Sequence, residues 1–492
     1  MKLHQLNYLL ILAVFTAFSA CNNSVETPAD INPNPVVPSE KMIVYQQMEL
    51  IGFIHFTVNT FTNMEWGYGD ENPEIFNPTA LNAEQWVETA KFAGMKELIL
   101  TAKHHDGFCL WPSKFTEHSI KNSPYKGGKG DIVQEFVEAC RKNGLTVGLY
   151  LSPWDRNHKD YGKPAYLQYY HDQLRELLTQ YGTINEIWFD GANGGDGFYG
   201  GANEIRRIDS KTYYNWEKVF ALVRELQPDI KIFSDAGPDV HWIGNESGFA
   251  GSTFWSTINT DSLVIGHANT QYLNTGDPEG KNWIVGQCDV SIRPGWFYHK
   301  TEDSLVKSPE ELLDIYYKSV GRNAILLLNL PPDKRGLIHE NDVKALHNFR
   351  KILDETFAHN LAQDVIATAT NYRLDHKKFS PSNVLDKSTT TYWATDDSIR
   401  SADITIQLPE EKLFDRILIQ EPIRFGQRIS RFDLAIMEQR GWRTIFRGTT
   451  IGYKRILPIQ AVRTSNIRLR ILESNNTIAI SNIALFKAPD NN

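Results

Sequence analysis

The chain has 492 residues and 41% hydrophobic content, more than one ordinary domain needs, so two domains are the starting expectation. A formal charge of −8 and a pI near 6.0 leave no basic footprint, which argues against nucleic acid or an anionic membrane surface as a partner. Aromatic residues make up 12%, and such rings are platforms for flat apolar ligand faces, sugars among them, although most belong in the core.

The first residues read as targeting rather than fold. Lys2, the apolar stretch Leu9 to Phe18 and the small residues before Cys21 make a secretory signal over residues 1–20. Its ending resembles a bacterial lipobox. That implies cleavage before Cys21, lipid on its thiol, and a lipoprotein of the bacterial periplasm or outer membrane that meets the membrane through this anchor alone. The plainer alternatives are an ordinary cleaved signal or an uncleaved anchor, for which the apolar stretch is short. Residues 21–41, rich in Asn, Pro, Ser and Val, follow as a tether. Cys109, Cys140 and Cys288 remain, an odd number without close spacing, and are expected as buried free thiols rather than a disulfide framework or a zinc cluster.

From Ile51 onward, short apolar runs alternate with amphipathic stretches of helical length. Strands are expected at 51–56, 97–102, 146–152, 184–190, 230–234, 284–292 and 325–330, with a further short one near 240–243. Three of the intervening helices carry start signals: Asn82 with Gln85, Asp131 with Gln134, and Ser308-Pro309-Glu310-Glu311. Others are expected at 167–181, 211–226 and 339–355. This alternation over 42–357, with no glycine-rich phosphate loop after the first strand, predicts an α/β fold, a (β/α)8-like barrel, regular or distorted, rather than a doubly wound sheet. In such barrels the active site lies at the carboxyl ends of the strands.

Beyond Asn360 the rhythm changes to short β-prone runs without helical pattern, among them 404–406, 416–420, 432–437, 467–472 and 478–486, which predicts an all-β sandwich over 358–492. Its Asn383-Val384-Leu385-Asp386 followed by Thr391-Tyr392-Trp393 resembles galactose-binding or discoidin-like modules; the bland reading is a structural buttress on the barrel.

The strand ends carry residues that a core would not choose. They are His55 after the first strand, His104 and His105 after the second, Tyr150 and then Trp154 at the third, and Trp188 and Asp190 at the fourth. Asp190, in Trp-Phe-Asp-Gly on an otherwise apolar strand, is costly to bury unless used or well paired, although an Asp before Gly is often only a turn residue. Adjacent histidines on a strand point to opposite faces, so His104 and His105 suit hydrogen bonds to hydroxyls better than a shared metal. Asp235, Asp239 and Glu246 are the candidates for a second carboxylate, and composition does not choose among them.

His55-Phe56-Thr57, Glu65-Trp66-Gly67, Thr101 to Phe108 (Thr-Ala-Lys-His-His-Asp-Gly-Phe), Trp188-Phe189-Asp190-Gly191-Ala192 and Leu327-Leu328-Asn329 together resemble the α-L-fucosidases of glycoside hydrolase family 29, across roughly residues 42 to 357. The resemblance implies a retaining mechanism with Asp190 as nucleophile. Gly244-Asn245-Glu246-Ser247-Gly248 further resembles the branch acting on α-1,3/1,4-linked fucose of branched, Lewis-type glycans, which implies Glu246 as acid/base. It also implies fucose contacts at His55, Glu65, Trp66, His104, His105, Tyr150 and Trp188, and no cofactor or metal. The arginine that some relatives place between the two carboxylates has no clear counterpart; Asp239, His241, Arg293 and Trp296 are assigned to that side of the pocket, Trp296 as a wall for the fucose methyl group. Tyr298 and His299 have no assigned role.

Retention requires one ionised and one protonated carboxyl about 5–5.5 Å apart. Asp190 is expected ionised and supported by neighbouring donors, and Glu246 protonated in a drier, aromatic setting. The rival expectations are a broad fucosidase that accepts α-1,2 links and aryl fucosides, a non-catalytic glycan-binding surface lipoprotein, and a metal-dependent hydrolase using His104 and His105.

Overall fold

A computed structural model describes residues 28–490 apart from Asp364 and Lys387. The signal region and Cys21 lie outside the described residues. Within the expected tether, Ile31 is buried, Asn34 donates to Gln427 O at 2.8 Å, and Ser39 caps a short helix, Glu40–Gln46, so residues 31–41 pack on the folded body instead of spacing it from a surface.

Eight parallel strands close a barrel: β1 (Leu50–Ile54), β2 (Glu97–Lys103), β3 (Thr146–Leu151), β4 (Glu186–Trp188), β5 (Lys231–Ser234), β6 (Val240–Trp242), β7 (Val285–Ser291) and β8 (Ile325–Asn329), with β8 returning to β1. Nearly every strand residue is buried, because both faces are covered, and this is why the strands read as continuous apolar runs. Helices α1 (Ala83–Ala93), α2 (Ile132–Asn143), α3 (Pro164–Gln180), α4 (Trp216–Leu226), α5 (Pro309–Lys318) and α6 (Glu340–Phe357) lie outside it.

The helix starts follow the local chemistry. Asn82 accepts from the N–H groups of Glu84 and Gln85, Asp131 from that of Gln134, and Ser308 and Glu311 form a reciprocal capping box. Helix α4 begins later than periodicity suggests, because Asp209 accepts from Lys211 N and Thr212 Oγ1 in a local turn and Asn215, at φ 48°, is the cap. Cys109, Cys140 and Cys288 are free and buried.

The barrel is distorted on one side. β5 passes to its parallel neighbour β6 through residues 235–239 alone, in place of the helix-bearing crossover such neighbours ordinarily require. Among the described residues between α4 and α5, the one α-helix is the short Thr270–Thr275. The outer side of this sector packs as Ile243, Ala250, Phe254, Cys288 and Ala324. The segment carrying Phe254 is tied to the C-terminal part: Thr450 Oγ1 accepts from Phe254 N at 2.9 Å, and the Gln427 amide bonds Phe254 O at 2.8 Å and Ser256 N at 3.0 Å.

The C-terminal part is all-β, as expected. Strands β9 (Ile366–Ala369), β10 (Ala402–Gln420), β11 (Ile429–Glu438), β12 (Gly441–Gly448), β13 (Arg455–Ser474) and β14 (Asn482–Phe486) form one antiparallel sheet ordered β9-β10-β13-β11-β12, with β14 on β10. A two-stranded piece, Trp393–Ala394 with Ala479–Ile480, shares its apolar core. The runs at 404–406 and 416–420 are two ends of the single strand β10. It bends through register shifts between Gln407 and Lys412 and between Phe414 and Arg416, so the interrupted alternation concealed its continuity.

Candidate active site

The carboxyl ends of the strands open into one cavity of about 350 Å³. His55, Trp66, His104, His105, Tyr150, Trp188, Asp190, Glu246 and Trp296, all expected from sequence, line it together. Phe53, Asp235, Trp242 and Asp289 line it as well.

Asp190 stands two residues past the end of β4. Its Oδ2 accepts from the Tyr150 hydroxyl at 3.0 Å, Oδ1 accepts from Ala192 N at 2.7 Å, and the His105 ring nitrogen Nε2 stands 3.9 Å from Oδ2. Burial and the Asp190 charge hold the Tyr150 phenol well above its ordinary pKa, so it remains a donor. Beneath these residues the Trp188 ring stacks on Phe233 at 3.9 Å, and its indole N–H donates to Gln287 Oε1 at 2.7 Å.

The histidines form a neutral cluster. Burial pushes His55 down to about 3 and His105 to about 4, in the latter case against the pull of Asp190, and it drives His104 well below its ordinary value. His55 Nδ1 faces Asn329 Oδ1 at 2.8 Å and His105 Nδ1 faces Ser152 Oγ at 2.7 Å, which fixes both rings. Uncharged rings with one nitrogen fixed from behind suit hydrogen bonding to hydroxyls. Among the described residues, no three His, Cys, Asp or Glu side chains come together in a way that could hold a metal ion.

Glu246 comes from the turn after β6. Asn245 Oδ1 accepts from Ser247 N at 3.0 Å, and Asn274 Nδ2 donates to Ile243 O at 3.1 Å and Phe249 O at 2.9 Å, which closes the turn. Gly244 has φ 91°, and a Cβ there would sit 2.4 Å from Thr270 O, so the turn requires glycine. The Glu246 carboxyl is raised above its ordinary pKa by burial; the Trp296 indole N–H pulls it back, while Asp190 and Glu65 push it further up. The mouth thus holds a carboxylate supplied with donors and a carboxyl shifted toward its protonated form, the pairing that acid-assisted displacement uses.

Two further carboxyls border the cavity. Asp235 accepts from Gly266 N at 2.8 Å and is pushed up to about 6 by burial, with Asp190 adding to the rise. A Cβ on Gly191 would lie 2.2 Å from Asp235 Oδ2, so the glycine after Asp190 admits this close approach. Asp289 of β7 accepts from the Trp242 indole at 2.8 Å, and burial together with Glu246 holds it well above the carboxylate range. Asp289 was legible in principle, as a charged residue inside the apolar run 284–292, the same signal that marks Asp190.

Several expectations need correction. Asp239 does not line the cavity: it precedes β6 on the side away from the mouth, where its Oδ2 pairs with Arg224 and accepts from Ile232 N at 2.8 Å, pinning the short 235–239 connection. Arg293 is buried with Asp342 and Asp303 at 2.9 and 3.0 Å, and His241 packs near Phe254; neither reaches the cavity. Glu65 lies at the rim with its oxygens taken by Trp296 N at 2.8 Å, Phe297 N at 3.2 Å and His299 Nε2 at 2.6 Å.

The chain matches the family described as Alpha-L-fucosidase over residues 30–356, and an F5/8 type C domain over 366–485. It is 43% identical to a putative alpha-L-fucosidase 1 of Oryza sativa subsp. japonica over 95% of this chain and 88% of that protein, and 43% identical to alpha-L-fucosidase 1 of Arabidopsis thaliana over 92% and 88%. The crystal structure of a putative alpha-L-fucosidase from Bacteroides thetaiotaomicron superposes with a TM-score of 0.86 at 41% identity, over 94% of this chain and 100% of that one. These curated relatives overturn one expectation. The two curated relatives reported over most of the chain are plant α-L-fucosidases and not bacterial lipoproteins, so the placement as a lipoprotein of the bacterial periplasm or outer membrane is not supported.

Proposed function

The chain belongs to the α-L-fucosidase family and is a glycoside hydrolase of fucose-containing substrates; from that premise we propose that it is a retaining, exo-acting enzyme that removes α-1,3/1,4-linked fucose from branched, Lewis-type glycans. Asp190 is the nucleophile and Glu246 the acid/base. The observation that supports this reading is the opposed environment of the two groups: Asp190 accepts from Tyr150 and Ala192 N, while burial raises Glu246.

In the first step Asp190 attacks the anomeric carbon as Glu246 gives its proton to the leaving oxygen. In the second, Glu246 takes a proton from the water that displaces Asp190, and the configuration returns to that of the substrate. His55 and His105, neutral and anchored from behind, hold the fucose hydroxyls together with the neutral His104, and Trp66 and Trp188 give the ring its apolar faces. Residues 42–357 act as the catalytic domain and 358–492 as the sheet domain.

The linkage is tested by measuring fucose release from a Lewis-type branched trisaccharide, a 2-linked fucosyl-lactose and an aryl fucoside. Preference for the first is expected. Comparable rates on all three would replace this reading with a broad fucosidase.

A further inference from the structure

Glu246 sits on a turn, yet the group that fixes its carboxyl comes from a different loop. The Trp296 indole N–H donates to Glu246 Oε2 at 3.1 Å. The main chain of Trp296 is itself held from both sides: its N–H donates to Glu65 Oε2 at 2.8 Å, and its carbonyl accepts from Asn329 Nδ2 at 2.8 Å. Glu65 is set in turn by His299, whose Nε2 lies 2.6 Å from Oε1 while its Nδ1 faces Asn63 Oδ1 at 3.0 Å. Asn329 also faces His55 Nδ1 at 2.8 Å, so one asparagine ties the Trp296 loop to the histidine wall.

An indole N–H donates and cannot accept. In a protonated carboxyl the carbonyl oxygen accepts more strongly than the hydroxyl oxygen, so an indole N–H on Oε2 favours the acidic proton on the other oxygen. We propose that Trp296 is a positioning residue that assigns the acidic proton of Glu246 to Oε1 and aims it at the leaving oxygen, with Glu65 and His299 holding the Trp296 main chain in place for that purpose. The inference rests on Glu246 being the acid/base.

The proton and electron pairs balance along both steps. As the glycosidic bond breaks, its electron pair goes to the leaving oxygen, which takes the proton from Oε1 and leaves Glu246 as a carboxylate. The indole N–H on Oε2 then meets a full negative charge, so this hydrogen bond is stronger after proton transfer than before it and favours the transition state. In the second step water loses its proton to Oε1 as its oxygen bonds the anomeric carbon and the Asp190 ester bond breaks. Asp190 after β4, Glu65 on the loop after β1 and Asp289 on β7 are the carboxyls that face Glu246 electrostatically; ionised, each favours its protonated form, and the Trp296 N–H opposes them.

The test uses Trp296→Phe, and at the same position the isostere β-(3-benzothienyl)alanine, which keeps the ring shape and lacks only the N–H. Rates are measured on aryl fucosides of graded leaving-group acidity and across pH. The expected result is a loss of about tenfold with the poorest leaving group, little loss with a dinitrophenolate, and an alkaline limb of kcat/KM moved to higher pH. His299→Ala should give the same pattern at smaller amplitude. An equal loss across all leaving groups with the limb unmoved would overturn the inference and leave Trp296 as packing alone. Should the phenylalanine variant not fold, the isostere decides by the same criteria. Glu246→Ala separates the two levels: if it lacks leaving-group dependence the acid/base reading fails, and if it has that dependence while the Trp296 variants do not, only this inference fails.

Discussion

The two halves of the barrel mouth hold comparable groups by different means. On the β1 to β4 side, His55, His104, Tyr150, Trp188 and Asp190 stand on strands or within two residues of their ends, and their rings pack against one another, Tyr150 on Trp188 at 5.4 Å and His104 on Tyr150 at 5.8 Å. On the β5 to β8 side the chain between β5 and β7 has no long helix among its described residues, and Glu246 and Trp296 stand on loops whose main chain is held by the side chains of Asn245, Asn274 and Glu65. A group that must meet the anomeric carbon at a fixed distance gains from a strand end. A proton donor that must meet varied leaving groups can be carried on a turn, provided another loop orients it.

The largest effect should come from the strand-built half. Asp190→Ala is expected to lower kcat by about 10⁴-fold or more, and azide should restore turnover as a fucosyl azide of inverted configuration. Unchanged activity in that variant would remove the contrast altogether. Glu246→Ala should cost about 10²–10⁴-fold with poor leaving groups and far less with activated aryl fucosides. The sign on pH follows, because the acid must be protonated: activity of the native enzyme should fall as pH rises through the raised Glu246 pKa, and this alkaline limb should vanish from the variant's profile on an activated substrate.

Smaller effects sharpen the comparison. Tyr150→Phe removes the donor to Asp190 and should lower kcat/KM by about tenfold, read as equal losses for good and poor leaving groups, since the acid is untouched. The rings of His55 and His105, depressed to about 3 and about 4, should stay neutral in NMR titrations between pH 5 and 8. A histidine of the mouth titrating near 6.5 would contradict the burial that keeps this cluster neutral. Asp239→Asn is expected to leave kcat/KM unchanged, because the residue lies outside the cavity, and to lower stability by about 1 kcal/mol through its bonds to Arg224 and Ile232 N, measured by denaturant unfolding.

The same division governs what the sequence discloses. Strands such as 97–103 and 325–329 are buried on both faces and announce themselves as apolar runs, and the polar residues that interrupt or end them, His104, His105 and Asp190, stand out against that background. Where the regular alternation stops, position along the chain no longer predicts position in space. Asp239 and Glu246 are seven residues apart and equally plausible by composition, yet three residues of strand between them send one to the mouth and the other away from it. Glu65 and His299 were legible as polar residues, but their partnership joins the loop after β1 to the loop after β7 and leaves no local pattern. In the sheet domain, the bends in β10 and β13 broke long strands into pieces of ordinary length, while β12, with its exposed Arg443 and Arg447, carried too little apolar signal to be seen.

The sector without long helices has a consequence for anyone wishing to shorten or recombine the protein. Where a barrel of this kind would set a helix, the chain runs 250–256, and Gln427 and Thr450 of the sheet domain hold that run by its backbone. Two modules in series along the sequence are therefore packed as one compact unit in this region. A truncation after Phe357 removes the partners of that run, Gln427, Thr449, Thr450 and Arg455, and is expected to unfasten the stretch that leads from the Glu246 turn, as is a chimaera whose foreign sheet domain lacks equivalents of those side chains.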